Sequence, residues 1–191
     1  MKIVFVLLVA CLGLDGRTLV ASVDVVPATE WMMKRASEAN SVIRRVIEEA
    51  KPTIGVPYVW GGTKLQKGID CSNYTWQLYR SAGFNYERFL GTMVMSRLQD
   101  SYGLRTVSFE EAVPGDLLVY GYRDASNKWH GHVVILVDKD GSLTGRKGLM
   151  LGAHGRPVNA VQFVTSDGFE KGYFKQPKMK LCNVLRVESR R

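Results

Sequence analysis

Acidic side chains are in short supply: 18 Asp and Glu stand against 26 Lys and Arg, a formal charge of +8 over 191 residues. The surplus gives long-range attraction for anionic polymers such as cell-wall or lipid-headgroup material. It does not single out nucleic acid, because the basic residues are scattered and no nucleic-acid motif accompanies them, so no nucleic-acid partner is expected. Apolar runs of bilayer length are lacking. The N-terminal run, Ile3 to Leu14, falls short of the roughly 20 residues that cross a membrane, and no transmembrane span is expected. Repeats and low-complexity stretches are absent too, which argues against a solenoid or a disordered chain. Cysteine is scarce, with three residues, and so is histidine, with three.

What remains is the make-up of one ordinary domain behind a leader. Lys2, the apolar run and the Asp15 and Arg17 that end it fit a secretory signal, with cleavage near Ala21 or Ser22. The tetrapeptide Leu8-Val9-Ala10-Cys11 also resembles a lipoprotein processing box, which makes an acyl anchor at Cys11 the second option. The expected division is a leader over 1–22, a connecting segment and helix start over 23–37, and one main domain over 38–188, exported to the periplasm or secreted to the cell envelope as a monomer. Without its leader the chain holds Cys71 and Cys182, and sequence alone leaves a disulfide between them open.

Val42, Ile43, Val46, Ile47 and Ala50 recur at helical spacing and predict one amphipathic helix within 29–50. An extended, glycine-terminated connection follows through "TIGVPYVWGG". Asp70 is a good N-cap, so a second helix is predicted from Cys71 to the stop at Gly83, with Trp76 and Tyr79 on its core side. After Pro114 the pattern changes to strands: "PGDLLVYG", the unbroken apolar "HVVILVD", "GLMLGAH", "PVNAVQFV" and "LCNVLRV", with a polar loop at "YRDASNKWHG". Asp116 is expected to brace a turn. Helices followed by strands that lack intervening helices imply α+β with an antiparallel sheet.

The turn-rich 138–148 segment joins two of these strands, and pairing about position 143 sets His132 opposite His154. Cys71 falls in the first turn of its helix, where N–H groups and the helix dipole favour a thiolate. A nucleophile, a base and a group that orients the base are thus all available. His130 shares the face of His132 but lies in the polar loop, and is read as peripheral. Together His130, His132 and His154 leave a zinc hydrolase as a competing option.

"GVPYVWGGTKLQKGIDCSNYTWQLYRSAGF", "PGDLLVYG", "HVVILV" and "GAH", in that order, resemble the NlpC-type papain-like cell-wall endopeptidases over about residues 38–188. The resemblance implies a papain-like α+β fold, with N-terminal helices on an antiparallel sheet of about five or six strands. It implies Cys71 as nucleophile, His132 as base and His154 as the group that orients it. Tyr58 would line the site, and Asp70 and Ser72 would contact the D-glutamyl part of the substrate; Trp60 would line the groove. The implied activity is hydrolysis of peptidoglycan stem peptides, most typically between γ-D-glutamate and a diamino acid, with no cofactor and no metal. The family commonly has glycine after Asp-Cys-Ser where this chain has Asn73, and the 88–99 stretch follows its arginine-containing segment only loosely. An amidase or acyltransferase on a related fold, or a non-catalytic wall-binding domain, are the other readings.

Overall fold

The structure, a computed structural model, describes residues 25–166 and 179–189. The expected leader and the Cys11 anchor lie outside the described residues. Two short helices come first, α1 (Glu30–Ser37) and α2 (Ser41–Ala50), preceded by the strand β1 (Val25–Val26). The single helix expected over 29–50 is therefore broken. Asn40 is extended at φ −163° and its Oδ1 accepts from the backbone N–H of Val42 and Ile43, restarting the helix as an N-cap. Both pieces feed one core: Met32 and Ala36 from α1, and Ile43, Val46, Ile47 and Ala50 from α2.

A small hairpin, β2 (Thr63–Lys64) with β3 (Gly68–Ile69), leads into α3 (Cys71–Ser81), which starts at the predicted place. Tyr74, Leu78 and Tyr79 of α3 are fully buried, and Trp76 is half-buried against the same core. A four-residue helix, α4 (Thr92–Met95), then precedes β4 (Leu104–Thr106), β5 (Leu117–Arg123), β6 (Trp129–Asp138), β7 (Leu149–His154), β8 (Ala160–Thr165) and β9 (Lys180–Val187). The strands form one antiparallel sheet in the order β1-β8-β7-β6-β5-β9-β4. Among the described residues this sheet has seven strands where five or six were expected; β1 and β4, of two and three residues, are too short to show alternation. The fold is α+β.

Alternation along β6 explains its unbroken apolar run. Val133, Ile135 and Val137 join the helix-side core, while Val134 and Leu136 join a second cluster on the other face with Leu118, Met150 and Val164. The polar loop is shorter than expected: β5 and β6 pair out to Arg123 and Trp129, which places His130 on a strand opposite Tyr122. At the other end of β6 the register shifts before Asp138. The buried Asp138 carboxylate there accepts from the N–H groups of Gly141, Leu143 and Thr144 and from the Thr144 hydroxyl, and so organises the long turn.

Asp116 braces its turn as expected, accepting from the Val113 N–H, and is also gripped by Arg186 of β9 through two bonds of 2.9 and 2.8 Å. The carboxylate is buried, so removing its partner strands a charge. Arg186→Met is expected to destabilise the fold by about 3 kcal/mol, read as a lowered urea midpoint at unchanged slope.

Candidate active site

Asp70 starts α3 by accepting from the Asn73 N–H at 2.7 Å. Its Oδ1 also takes the Ser72 hydroxyl proton at 2.9 Å, and its Oδ2 accepts from Asn73 Nδ2 at 3.1 Å. Asn73 thus adds a bond at the helix start that glycine could not make. This cap fixes the first turn and with it Cys71, which is 5% exposed. Cys71 and Cys182 are both free thiols, which removes the disulfide option.

Backbone N–H groups of Val133, the residue after His132, and of Ser72 lie close enough to the Cys71 thiol to pull its pKa down. Gly131, on the other side of His132, lines the cleft that holds the thiol. His132 is 2% exposed and His154 fully buried. The register that pairs Ile135 with Leu151, carried three residues further, sets these two histidines opposite one another, and their rings meet through His132 Nε2 and His154 Nδ1 at 3.2 Å.

Burial pushes the Cys71 thiol up from 9.0 to about 12, and the Asp70 carboxylate adds to the rise, against the pull of the N–H groups. Burial also drives His132 well below 6.5, with His154 contributing, and brings His154 to about 4. The acidified thiol expected at a helix tip is therefore not found. Loss of hydration outweighs the partial charge of the helix end, so the thiol and both imidazoles rest neutral; neither histidine is among the residues that line the cleft around Cys71.

Hydrogen bonding fixes their tautomers. His154 Nε2 lies 3.1 Å from the Gln162 carbonyl, which can only accept, so Nε2 carries the proton. In a neutral ring Nδ1 of His154 then accepts, and Nε2 of His132 must be the donor. The lone pair of His132 is left on Nδ1. A backbone carbonyl on β8 thus determines which nitrogen of His132 can act as a base. Sequence could not indicate Gln162, since its contribution is main-chain.

The cleft has a volume of about 270 Å³ and is walled by Tyr58, Trp60, Asp70, Ser72, Thr92, Met93 and Trp129. Trp60 is 79% exposed at its rim. The last three were not expected. Trp129 lies over Gly121 and Gly131, which face each other across β5 and β6, and any side chain on either glycine would collide with the indole. Its Nε1–H donates to Thr92 Oγ1 at 3.2 Å, pinning α4 to the sheet. Two glycines at opposed strand positions were the available signal. A hollow of about 390 Å³ beside Asp116 and Arg186 shares no residue with the cleft.

His130 stays peripheral: its Nε2 is 2.8 Å from Asp124 Oδ2 and its ring stacks on Tyr122. Among the described residues no group of three His, Cys, Asp or Glu converges on a metal position, so the three histidines do not make the zinc site considered from the sequence. Nor is any described helix long and apolar enough to cross a membrane.

The model of the NlpC/P60 family matches residues 55–177, which include Tyr58, Cys71, His132 and His154. Over 77 residues the chain is 32% identical to the bifunctional muramidase/DL-endopeptidase CwlT of Bacillus subtilis, covering 40% of this chain and 21% of that protein. Over 98 residues it is 31% identical to the gamma-D-glutamyl-L-lysine dipeptidyl-peptidase of Bacillus cereus, covering 51% of this chain and 26% of the relative. The chain thus spans about a quarter or less of these relatives. Among solved structures it is similar to a Staphylococcus aureus protein described as similar to lipoprotein, NLP/P60 family, with a TM-score of 0.52 and 19% identity over 79% of this chain and 43% of the other. That likeness concerns the fold.

Proposed function

We propose, from the premise that this chain belongs to the NlpC/P60 family, that it is a cysteine peptidase of peptidoglycan stem peptides, cutting the bond between γ-D-glutamate and a diamino acid. Cys71 is the nucleophile, His132 the base and His154 its orienting partner. The protein is exported and acts at the cell envelope, where its net positive charge favours contact with anionic wall polymers. The observation that carries this reading is the thiol at the tip of α3, in a cleft also lined by Gly131, next in sequence to His132, whose basic nitrogen is set by the His154–Gln162 chain.

Because the thiol and the imidazole rest neutral, the proton leaves sulfur as attack begins. Cys71 Sγ bonds to the scissile carbonyl carbon while its proton passes to His132 Nδ1. The oxyanion is met by the Cys71 N–H and the Tyr58 hydroxyl; one such donor is worth about 3 kcal/mol. Collapse breaks the C–N bond, and the imidazolium gives its proton to the leaving amine. Water then adds to the thioester, its proton moving to His132; the C–S bond breaks, the carboxylic acid departs and sulfur recovers the proton.

Incubation with purified stem peptides is expected to yield one new diamino acid N-terminus and one new γ-D-glutamyl carboxyl, read by mass spectrometry. Recovery of intact peptide would remove the reading. His154 acts through His132. His154→Gln keeps an amide N–H for the Gln162 carbonyl and an oxygen for His132 Nε2, so it is expected to lower kcat by about tenfold, and His154→Leu by about 10³-fold. A kcat ratio near one between the two variants would refute the orienting role.

A further inference from the structure

The residues that wall the cleft around Cys71 come from 58–72, from 91–93 and from 129–131. The first stretch is tied to the β2–β3 hairpin and the start of α3, where the Val59 N–H donates to the Ile69 carbonyl and the Asp70 N–H to that of Gly62. The third belongs to the β5–β6 ladder. The second, which opens α4, has neither support. Four residues are too few for a helix to hold itself, and a side chain at Gly91, just before it, would meet no neighbour within 4 Å.

What holds α4 reaches it from the sheet. At its first residue Thr92 takes the Trp129 N–H. At its other end the work falls to Asn183 of β9, which is paired with Val119 and so projects to the helix side of the sheet. Its Nδ2 donates to the carbonyls of Met95 and Leu98 at 2.9 and 3.0 Å, while its Oδ1 accepts from the Val184 N–H at 3.0 Å. A helix end leaves carbonyls in need of donors, and here one amide supplies two bonds from nearly ninety residues away. Asn183 does not itself line the cleft.

We infer that Asn183 is a positioning residue: by clamping the carbonyl end of α4 to β9 it holds Thr92 and Met93 as one wall of the Cys71 cleft, and so sets how firmly the cleft grips its peptide and how well the thiol is shielded. The grip on peptide rests on the peptidase reading above; the shielding of the thiol does not. Without the amide, two partly buried carbonyls lose their donor and are satisfied only if α4 moves toward water. A wall displaced by even about 1 Å no longer fits the peptide, and water admitted beside Cys71 relieves the loss of hydration that keeps its thiol protonated.

Asn183→Leu, similar in size and lacking the donor, is expected to raise KM for the stem peptide about tenfold at a kcat within about twofold of the wild type, and to speed iodoacetamide labelling of Cys71 about tenfold. Labelling is read at pH 7 on the Cys71 peptide by mass spectrometry, beside a thermal melt. Asn183→Gln keeps an amide donor and is expected to recover most of both effects. Thr92→Val removes the acceptor at the other end of α4 and is expected to speed labelling about threefold, a check that stands even if Asn183→Leu folds poorly. Labelling at the wild-type rate in the Leu or Val variant, no recovery with Gln, or a loss confined to kcat overturns the inference. Faster labelling of the variants, with stem peptide left intact by the wild type, would uphold the clamp and refute the peptidase reading alone.

Discussion

Cys71→Ala is expected to reduce stem-peptide cleavage by at least about 10⁴-fold while leaving the melting temperature within a few degrees of the wild type. The size of the loss follows from what the residue does: without sulfur there is no thioester, and the remaining groups supply only binding and oxyanion contacts. The small change in stability follows from the site. Alanine fits where cysteine did, the Asp70 cap is untouched, and the removed thiol had been buried at a position that raises its pKa to about 12. Product formation and a thermal melt on the same sample separate the two effects. Survival of most of the activity would place the nucleophile elsewhere. The raised thiol has a second consequence. Iodoacetamide, which reacts with thiolate, should modify Cys71 at pH 7 more slowly than it modifies a simple thiol, and kcat/KM should not climb as pH passes 9.0. A rise through that value would mean that free thiolate attacks.

Much of this site could be read from the chain because its parts are local. Asp70 announces a helix start by its chemistry as a cap, and the turn-rich segment after Asp138 fixes a mirror position that sets His132 against His154. Neither needs tertiary information. The break between α1 and α2 was legible in principle, since Asn40 is a strong cap, but the apolar spacing runs through it and masked the stop. The cleft wall was not legible. Trp129 and Thr92 meet only because β5 and β6 bring two glycines face to face under the indole, a long-range coincidence with no local pattern. The thiol's protonation is not legible in the sequence for a related reason. A helix end is a feature of sequence, whereas loss of hydration depends on what packs around it, and here the packing prevails.

His132→Ala is expected to lower kcat by about 10⁴-fold, comparable to loss of the nucleophile, because in the proposed mechanism one ring carries four proton transfers: from sulfur, to the leaving amine, from water and back to sulfur. Its basic nitrogen is available over an unusually wide range. Burial holds the imidazole well below 6.5, so it remains a free base at pH 6, and the acid limb of kcat/KM should lie below that of an ordinary histidine. The same depression bears on stability, with a definite sign. In the unfolded chain both histidines take up protons below about 6.5, whereas in the folded chain they resist, His154 down to about 4. The unfolded state then binds more protons, so stability is fully present above 6.5 and is lost as pH falls, at about 1.4 kcal/mol per pH unit for each histidine. Removing His132 takes away one of these two contributions. Between pH 6 and pH 5 the urea-derived stability of His132→Ala should fall about half as steeply as that of the wild type, an effect separate from its loss of turnover. An identical slope in the two proteins would mean that His132 is already protonated in the folded state, and it could not then serve as the base that deprotonates Cys71.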